Sequence, residues 1–299
     1  RRAAEIAVDQ AGSERPAPEA RPMGVVKEIR PEAFPAEAHE APRRLRSIKA
    51  EAPLRGASML PPLADRMLLT LSRKVVIDGN IDPVSREQYR RLATGLHAAQ
   101  AAGGLAVIAV SSALASEGKS LTASNLALTL SESYHRSVLL IDGDLRRPSL
   151  DRVFGLPPGS GLSDGVLVSG EQRLNVHQLT PYLSVLAAGR PTSDPMATLA
   201  SDGMRRLVAE ARESFDWVIV DTPPIGLLSD ASLLADISDG TILVVKAGST
   251  PYDVVQRAVE SLGKDRILGV VLNQATDIGT AGKYDSYYHA AAASNSVRG

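Results

Sequence analysis

The 299-residue sequence has no cysteine, which excludes a disulfide framework and any thiolate metal site. Aromatics are scarce, with one Trp, three Phe and seven Tyr, so any local gathering of them is informative. No apolar run approaches the roughly 20 residues that a membrane-spanning helix needs. Neither sign of charge prevails: 33 Lys and Arg against 34 Asp and Glu leave a formal −1, and no overall basic excess points to a nucleic-acid partner. The five histidines, His39, His97, His135, His177 and His289, are too dispersed for metal-ligand spacing. The chain opens on Arg1 rather than Met, so the reading allows for a fragment with a membrane segment upstream.

What is present divides into three parts: an arm over 1–72, a domain over 73–274 and a tail over 275–299. The arm is rich in Ala, Pro, Glu and Arg. Up to residue 60 it holds seven of the 19 prolines and one aromatic, Phe34. Such a stretch buries too little apolar surface to offset its ordering entropy, and disorder is expected. Its basic run "PRRLRSIK" (42–49) reads as a solvated charge cluster ahead of the alternative, a membrane-surface contact. In the domain, "KVVID" (74–78) suggests a short strand and 83–102 a helix, with Ser85 as N-cap and Gly103-Gly104 as stop. Six apolar runs follow: 105–110, 137–142, 183–188, 216–221, 241–246 and 267–273. All are short, continuous and rich in Val, Ile and Leu, the pattern of strands buried on both faces. Helical patterns at 119–135, 202–214, 228–236 and 252–263 separate them. The alternation predicts a doubly wound, mostly parallel α/β sheet.

The most specific stretch is "ALASEGKS", Ala113 to Ser120. It fits the looser phosphate-loop pattern of Ala or Gly, four residues, then Gly-Lys-Ser/Thr. It follows an expected strand and opens an expected helix, the setting that gives the motif meaning. Backbone N–H groups at a helix N-terminus, with the helix dipole, stabilise phosphate oxygens. Gly118 lets the backbone approach, Lys119 brings charge to the outer phosphates and Ser120 offers a hydroxyl to Mg²⁺. Ala113, Ser116, Glu117 and Leu121 complete the expected nucleotide contacts. Two further strands end in acids: "VLLIDGDLRRP" carries Asp142 and Asp144, and "WVIVDTPP" carries Asp221. Strand ends are where an open α/β sheet binds its ligand, so the three carboxylates are expected to meet the phosphates there, to hold the metal or accept a proton.

Together "ASEGKS", "VLLIDGDLRRP", "LSVLAAGRPTSDPMATLAS" (183–201) and "VIVDTPP" resemble the bacterial protein-tyrosine kinases of capsule and exopolysaccharide synthesis. "LDRVFGLPPGSGLSDGVLVSG" (150–170) also looks like that family's segment after the second motif. The similarity spans about 84–273. It implies a P-loop NTPase-like scaffold with a modified Walker A loop at 113–120, a second Walker-like motif holding Asp142 and Asp144, and Asp221 as Walker B. Lys119 would bind the phosphates of ATP. Ser120, Asp142, Asp144 and Asp221 would share Mg²⁺ positioning and activation of the tyrosine, with Asp142 the favoured base. Arg146 and Arg147 are candidates for phosphate or an acidic acceptor, or are surface arginines. Asn273 either hydrogen-bonds adenine or closes a turn. The resemblance makes the tail's Tyr284, Tyr287 and Tyr288 the phospho-acceptors. Asn273 and Tyr287 are 14 residues apart, up to about 48 Å if extended. It further implies a transmembrane polysaccharide co-polymerase as activating partner, self-association for phosphorylation between subunits, a cognate tyrosine phosphatase, and a cytoplasmic place at the inner face of the plasma membrane.

One departure concerns the family's subunit-contact helix, which carries Glu, two residues, Arg, two residues, Arg. Glu87 and Arg90 match, but Ala93 holds the third place and Arg91 is out of register. Two rival readings remain at this stage. A partitioning-type ATPase of the same superfamily would carry a lysine early in the loop, where this chain has Leu114. A nucleotide-binding regulator without kinase activity would suit Ala115-Ser116, where relatives often have Pro-Gly.

Overall fold

The computed structural model describes residues 75–76, 83–166, 174–226 and 229–275. Helix α1 (Pro83–Gly103) leads into β1 (Val107–Ser112) and α2 (Lys119–Leu128), which continues as a π-helical turn over Thr129–Ser133. Then follow β2 (Val138–Asp142), α3 (Leu150–Phe154), α4 (Leu162–Gly165), β3 (Val176–Gln178) and β4 (Leu183–Leu186). The chain closes with α5 (Pro195–Ala200), α6 (Asp202–Ser214), β5 (Trp217–Asp221), α7 (Ser229–Asp236), β6 (Gly240–Lys246), α8 (Tyr252–Leu262) and β7 (Ile267–Asn273).

The seven strands form one sheet in the order β3-β4-β2-β5-β1-β6-β7. All neighbours are parallel except the β3–β4 pair. The core strands are buried at every position of β1, β2 and β5, which explains their continuous rather than alternating apolar pattern. One face packs Ile108, Leu140, Ile219 and Ile242 against α1, α2 and α3. The other packs Leu139, Ile141, Val218 and Val220 against α6, and Leu243 and Val245 against α7 and α8. This is the doubly wound, mostly parallel architecture expected from the sequence.

Several local expectations change. Val75 and Val76 form a bend rather than a strand, with Val75 buried and the Val76 N–H donating to Asn125 Oδ1 at 2.9 Å. The rest of "KVVID" lies outside the described residues. Helix α1 begins at Pro83, whose missing N–H costs nothing in the first turn, so Ser85 lies inside the helix instead of capping it. The short elements α3, α4, α5 and β3 were not expected. Of these, α5 had a legible signal: Asp194 accepts from the Ala197 N–H and Pro195 takes the first helical position. The arm and nearly all of the tail, including Tyr284, Tyr287 and Tyr288, lie outside the described residues.

Candidate active site: a phosphate loop facing two acidic strand ends

β1 sits between β5 and β6, and its carboxyl end releases the loop that starts α2. The loop turns on two left-handed residues, Ser116 at φ 65° and Gly118 at φ 94°. Glycine is required at the second. A Cβ there would stand 2.1 Å from Asn273 Nδ2. The first N–H groups of α2 face a cavity of about 330 Å³ lined by Ser116, Gly118, Lys119, Ser120, Leu121, Ser149, Arg152 and Val153. Free helix N–H groups at such a mouth suit an anion.

Strand register sets the acids. Asp142 on β2 stands directly opposite Asp221 on β5. Gly143 follows with its N–H on the Asp221 carbonyl, and a Cβ at Gly143 would meet that oxygen at 2.9 Å. The close passage turns Asp144 toward the loop, where its Oδ2 meets Lys119 Nζ at 2.8 Å. Lys119 Nζ also lies 3.6 Å from Asp221 Oδ1 and donates to Ser120 Oγ at 3.3 Å. Burial opposes the lysine's charge, but Asp221 and Asp144 more than offset it and raise its pKa. Lys119 therefore meets Asp144 and Asp221, which follow it in sequence by 25 and 102 residues.

The three acids do not play one part. Asp142 is wholly buried; its Oδ2 accepts from the N–H groups of Ser149 at 2.9 Å and Leu150 at 3.0 Å, and so holds the start of α3. Burial and the neighbouring Asp221 push its carboxyl up to about 7, against the lowering effect of those two N–H groups. Burial likewise raises Asp221 to about 6, against Lys119 and the Ser120 hydroxyl. Neither Asp221 oxygen has a partner at full hydrogen-bonding geometry. Among the described residues no three His, Asp or Glu side chains close on one point. Asp144, Asp221 and Ser120 gather around Lys119 Nζ, oxygen donors of a kind that suits Mg²⁺ completed by phosphate and water.

Other expected contacts have different work. The Glu117 side chain is buried and braces the loop: it accepts from the Leu114 N–H at 2.7 Å, the Lys246 N–H at 3.3 Å and the Thr250 hydroxyl. Asn273 donates to the Glu117 carbonyl at 2.8 Å, tying the end of β7 to the loop. Ala113 is buried against the cluster beneath α7 and α8. Arg146 pairs with the buried Asp230 at 2.6 Å. Arg147 is exposed. Glu87 pairs with Arg91 at 3.9 Å, one position beyond the Arg90 of the motif reading. Sequence reasoning missed Ser149, Arg152 and Val153 in the cavity wall. They reach it because Asp142 draws the start of α3 back to the strand end, a tertiary contact with no local signature.

No family profile matches the chain. The tyrosine-protein kinase YwqD of Bacillus subtilis is 34% identical over 206 residues, covering 68% of this chain and 86% of that protein. The succinoglycan biosynthesis transport protein ExoP of Rhizobium meliloti is 38% identical over 190 residues, 60% of this chain but 24% of that longer protein. Among solved structures, the kinase domain of the Escherichia coli tyrosine kinase ETK superposes with a TM-score of 0.58 at 29% identity, over 64% of this chain and 78% of that one.

Proposed function

The chain belongs to the bacterial tyrosine-protein kinases of capsule and exopolysaccharide biosynthesis, and on that premise we propose that it moves the γ-phosphoryl group of ATP to tyrosines of its own C-terminal tail. The observation that carries this reading is the meeting of Lys119, which lines the loop cavity, with Asp144 and Asp221. The N–H groups of residues 116–121 receive the phosphates, and Lys119 swings from Asp144 to the outer phosphate oxygens. Ser120, Asp144 and Asp221 would hold Mg²⁺, which supplies charge neutralisation on the phosphates. The acceptor Oη attacks the γ-phosphorus in line, the Oη–P bond forms, the bond to the β-phosphate oxygen breaks and ADP leaves. The phenolic proton passes to Asp142, whose raised pKa suits a base working near neutrality. Because Asp142 is buried under the start of α3, that segment must draw back for the acceptor to reach it. Most of the rate enhancement on this scheme comes from positioning and charge, as in phosphoryl transfer generally.

On this reading the chain controls exopolysaccharide or capsule chain length and export, beside a membrane co-polymerase at the inner face of the plasma membrane. No helix among the described residues is long and apolar enough to cross a membrane. Purified chain incubated with ATP and Mg²⁺ should gain phosphotyrosine, and Lys119→Met should abolish it. Near-normal phosphorylation in Lys119→Met overturns the assignment. ATP hydrolysis without phosphotyrosine would instead mark a partitioning-type ATPase, and nucleotide binding with neither would mark a regulator.

A further inference from the structure

Among the described residues five large apolar side chains are exposed: Met196, Tyr252, Leu268, Val270 and Leu272. Four of them lie on α8 and β7. β7 is the last strand of the sheet, so its outer row of peptide groups meets no other strand among the described residues. Register places Val270 beside Leu243 and Leu272 beside Val245, on the sheet face that α7 and α8 cover further in. The apolar face therefore runs one strand beyond its helical cover. The edge itself, "ILGVVLN", has no charged residue and no proline, the devices that normally blunt such an edge. An edge strand of this kind takes up another strand, whose backbone pairs with it and whose side chains cover the stripe.

We propose that the occupant is the chain's own tail, with residues 283–288 laid antiparallel along the free edge of β7. The tail is tethered where the stripe ends, because Asn273 closes β7 and Tyr284 follows 11 residues later. Those residues reach about 36 Å if extended, whereas β7 runs about 23 Å, so the chain can turn back. Gly279 and Gly282 lie in the connection and suit the turn. In a strand Tyr284, Ser286 and Tyr288 share one face, matching the period of Leu268, Val270 and Leu272. Lys283, Asp285 and Tyr287 take the other face. Tethering keeps the effective concentration of the segment near the millimolar range. This seating carries the tyrosines down β7, away from the loop that Asn273 touches. Resting on the kinase reading, one consequence follows: a phosphate on Tyr284 or Tyr288 would bring charge onto the apolar stripe and release the segment.

The test is hydrogen exchange on the full chain without nucleotide, at low and high protein concentration. Amides of 284–288 should exchange at least about tenfold more slowly in the wild type than in the Val270→Lys/Leu272→Lys variant. Tyr284→Asp/Tyr288→Asp, which leaves β7 intact, should lose the same protection. Deleting 284–288 should speed exchange along β7. Equal exchange of the tail in the wild type and both variants overturns the proposal. Protection that appears only at high concentration also overturns it and gives the edge to a second copy. No ATP is present, so failure here leaves the kinase reading standing, and absence of phosphotyrosine leaves the docking standing.

Discussion

Asp142 and Asp144 are two residues apart, yet the backbone turn at Gly143 gives them opposite surroundings. Asp144 keeps 4% of its surface exposed and meets the loop lysine; Asp142 is sealed beneath the start of α3. Both motif acids were legible from their place after an apolar strand, but their division of labour was not, because it depends on which N–H groups the fold brings to each. Asp142 Oδ1 carries only a 3.3 Å bond from the Asp144 N–H and is the oxygen left for a proton. As a base it must be ionised, so phosphotyrosine formation should rise with pH through about 7 in the wild type. Asp142→Asn should lower the rate by about 10²- to 10⁴-fold, and retain nucleotide affinity because Lys119 and the loop are untouched. Rate–pH profiles beside equilibrium nucleotide binding check both halves; a flat wild-type profile or a fully active Asn variant removes Asp142 from the role.

Element boundaries show where sequence reading reaches its limit. α6 falls at 202–214 and β7 at 267–273, both as the apolar pattern predicts, because each is bounded by residues that stop it: Ser201 caps α6, and Gln274 leaves β7 at φ 58°. β3 escaped because it is a three-residue strand defined only by its pairing with β4, and α3 because its start is held by a side chain on another element. The bond from Leu150 N–H to Asp142 spans eight residues, and the brace from Glu117 to Thr250 spans 133. α1 was read correctly as a helix, but the role of its His97 was not visible. That ring is buried between Tyr134 and the edge of Trp217, with centroids 4.8 and 5.6 Å away. Burial first, and Arg136 next, lower its pKa from 6.5 to about 4, against Asp216 and Gln100. A histidine held neutral in the fold binds its proton more readily when unfolded, so its contribution to stability is lost as pH falls from 6.5 toward 4. The raised carboxyls of Asp142 and Asp221 act in the opposite sense, since the folded state holds their protons more tightly. The clean readout is therefore a difference. The stability of His97→Phe relative to the wild type should improve by about 1.4 kcal/mol per pH unit on acidification through that window. Denaturant titrations of both proteins across the window measure it, and a constant difference sinks the assignment of a neutral buried ring.

At the scale of the whole molecule, the question is whose site serves whose tail. The bonds that shape the phosphate loop come from β6, β7 and the segment before α8, the last of them from Asn273. All of these bonds come from residues up to Asn273, and a chain lacking 284–288 should bind nucleotide normally while losing autophosphorylation. Conversely, Lys119→Met keeps the acceptor tyrosines but loses the charge that steadies the outer phosphates. Each variant alone should remain without phosphotyrosine. Mixed, the truncated chain supplies a working site and the Lys119→Met chain supplies the acceptor. If transfer runs between subunits, phosphotyrosine should appear on the full-length Lys119→Met partner, at a rate that rises with the concentration of the truncated one. The antiparallel seating proposed for the tail favours this outcome, because it directs the tyrosines along β7 and away from their own loop. Mass-spectrometric mapping separates the two chains by length. A mixture that stays unmodified while wild-type chain labels itself at a concentration-independent rate would show transfer within one subunit instead, and would require Tyr284–Tyr288 to fold back over the cavity beside Arg152.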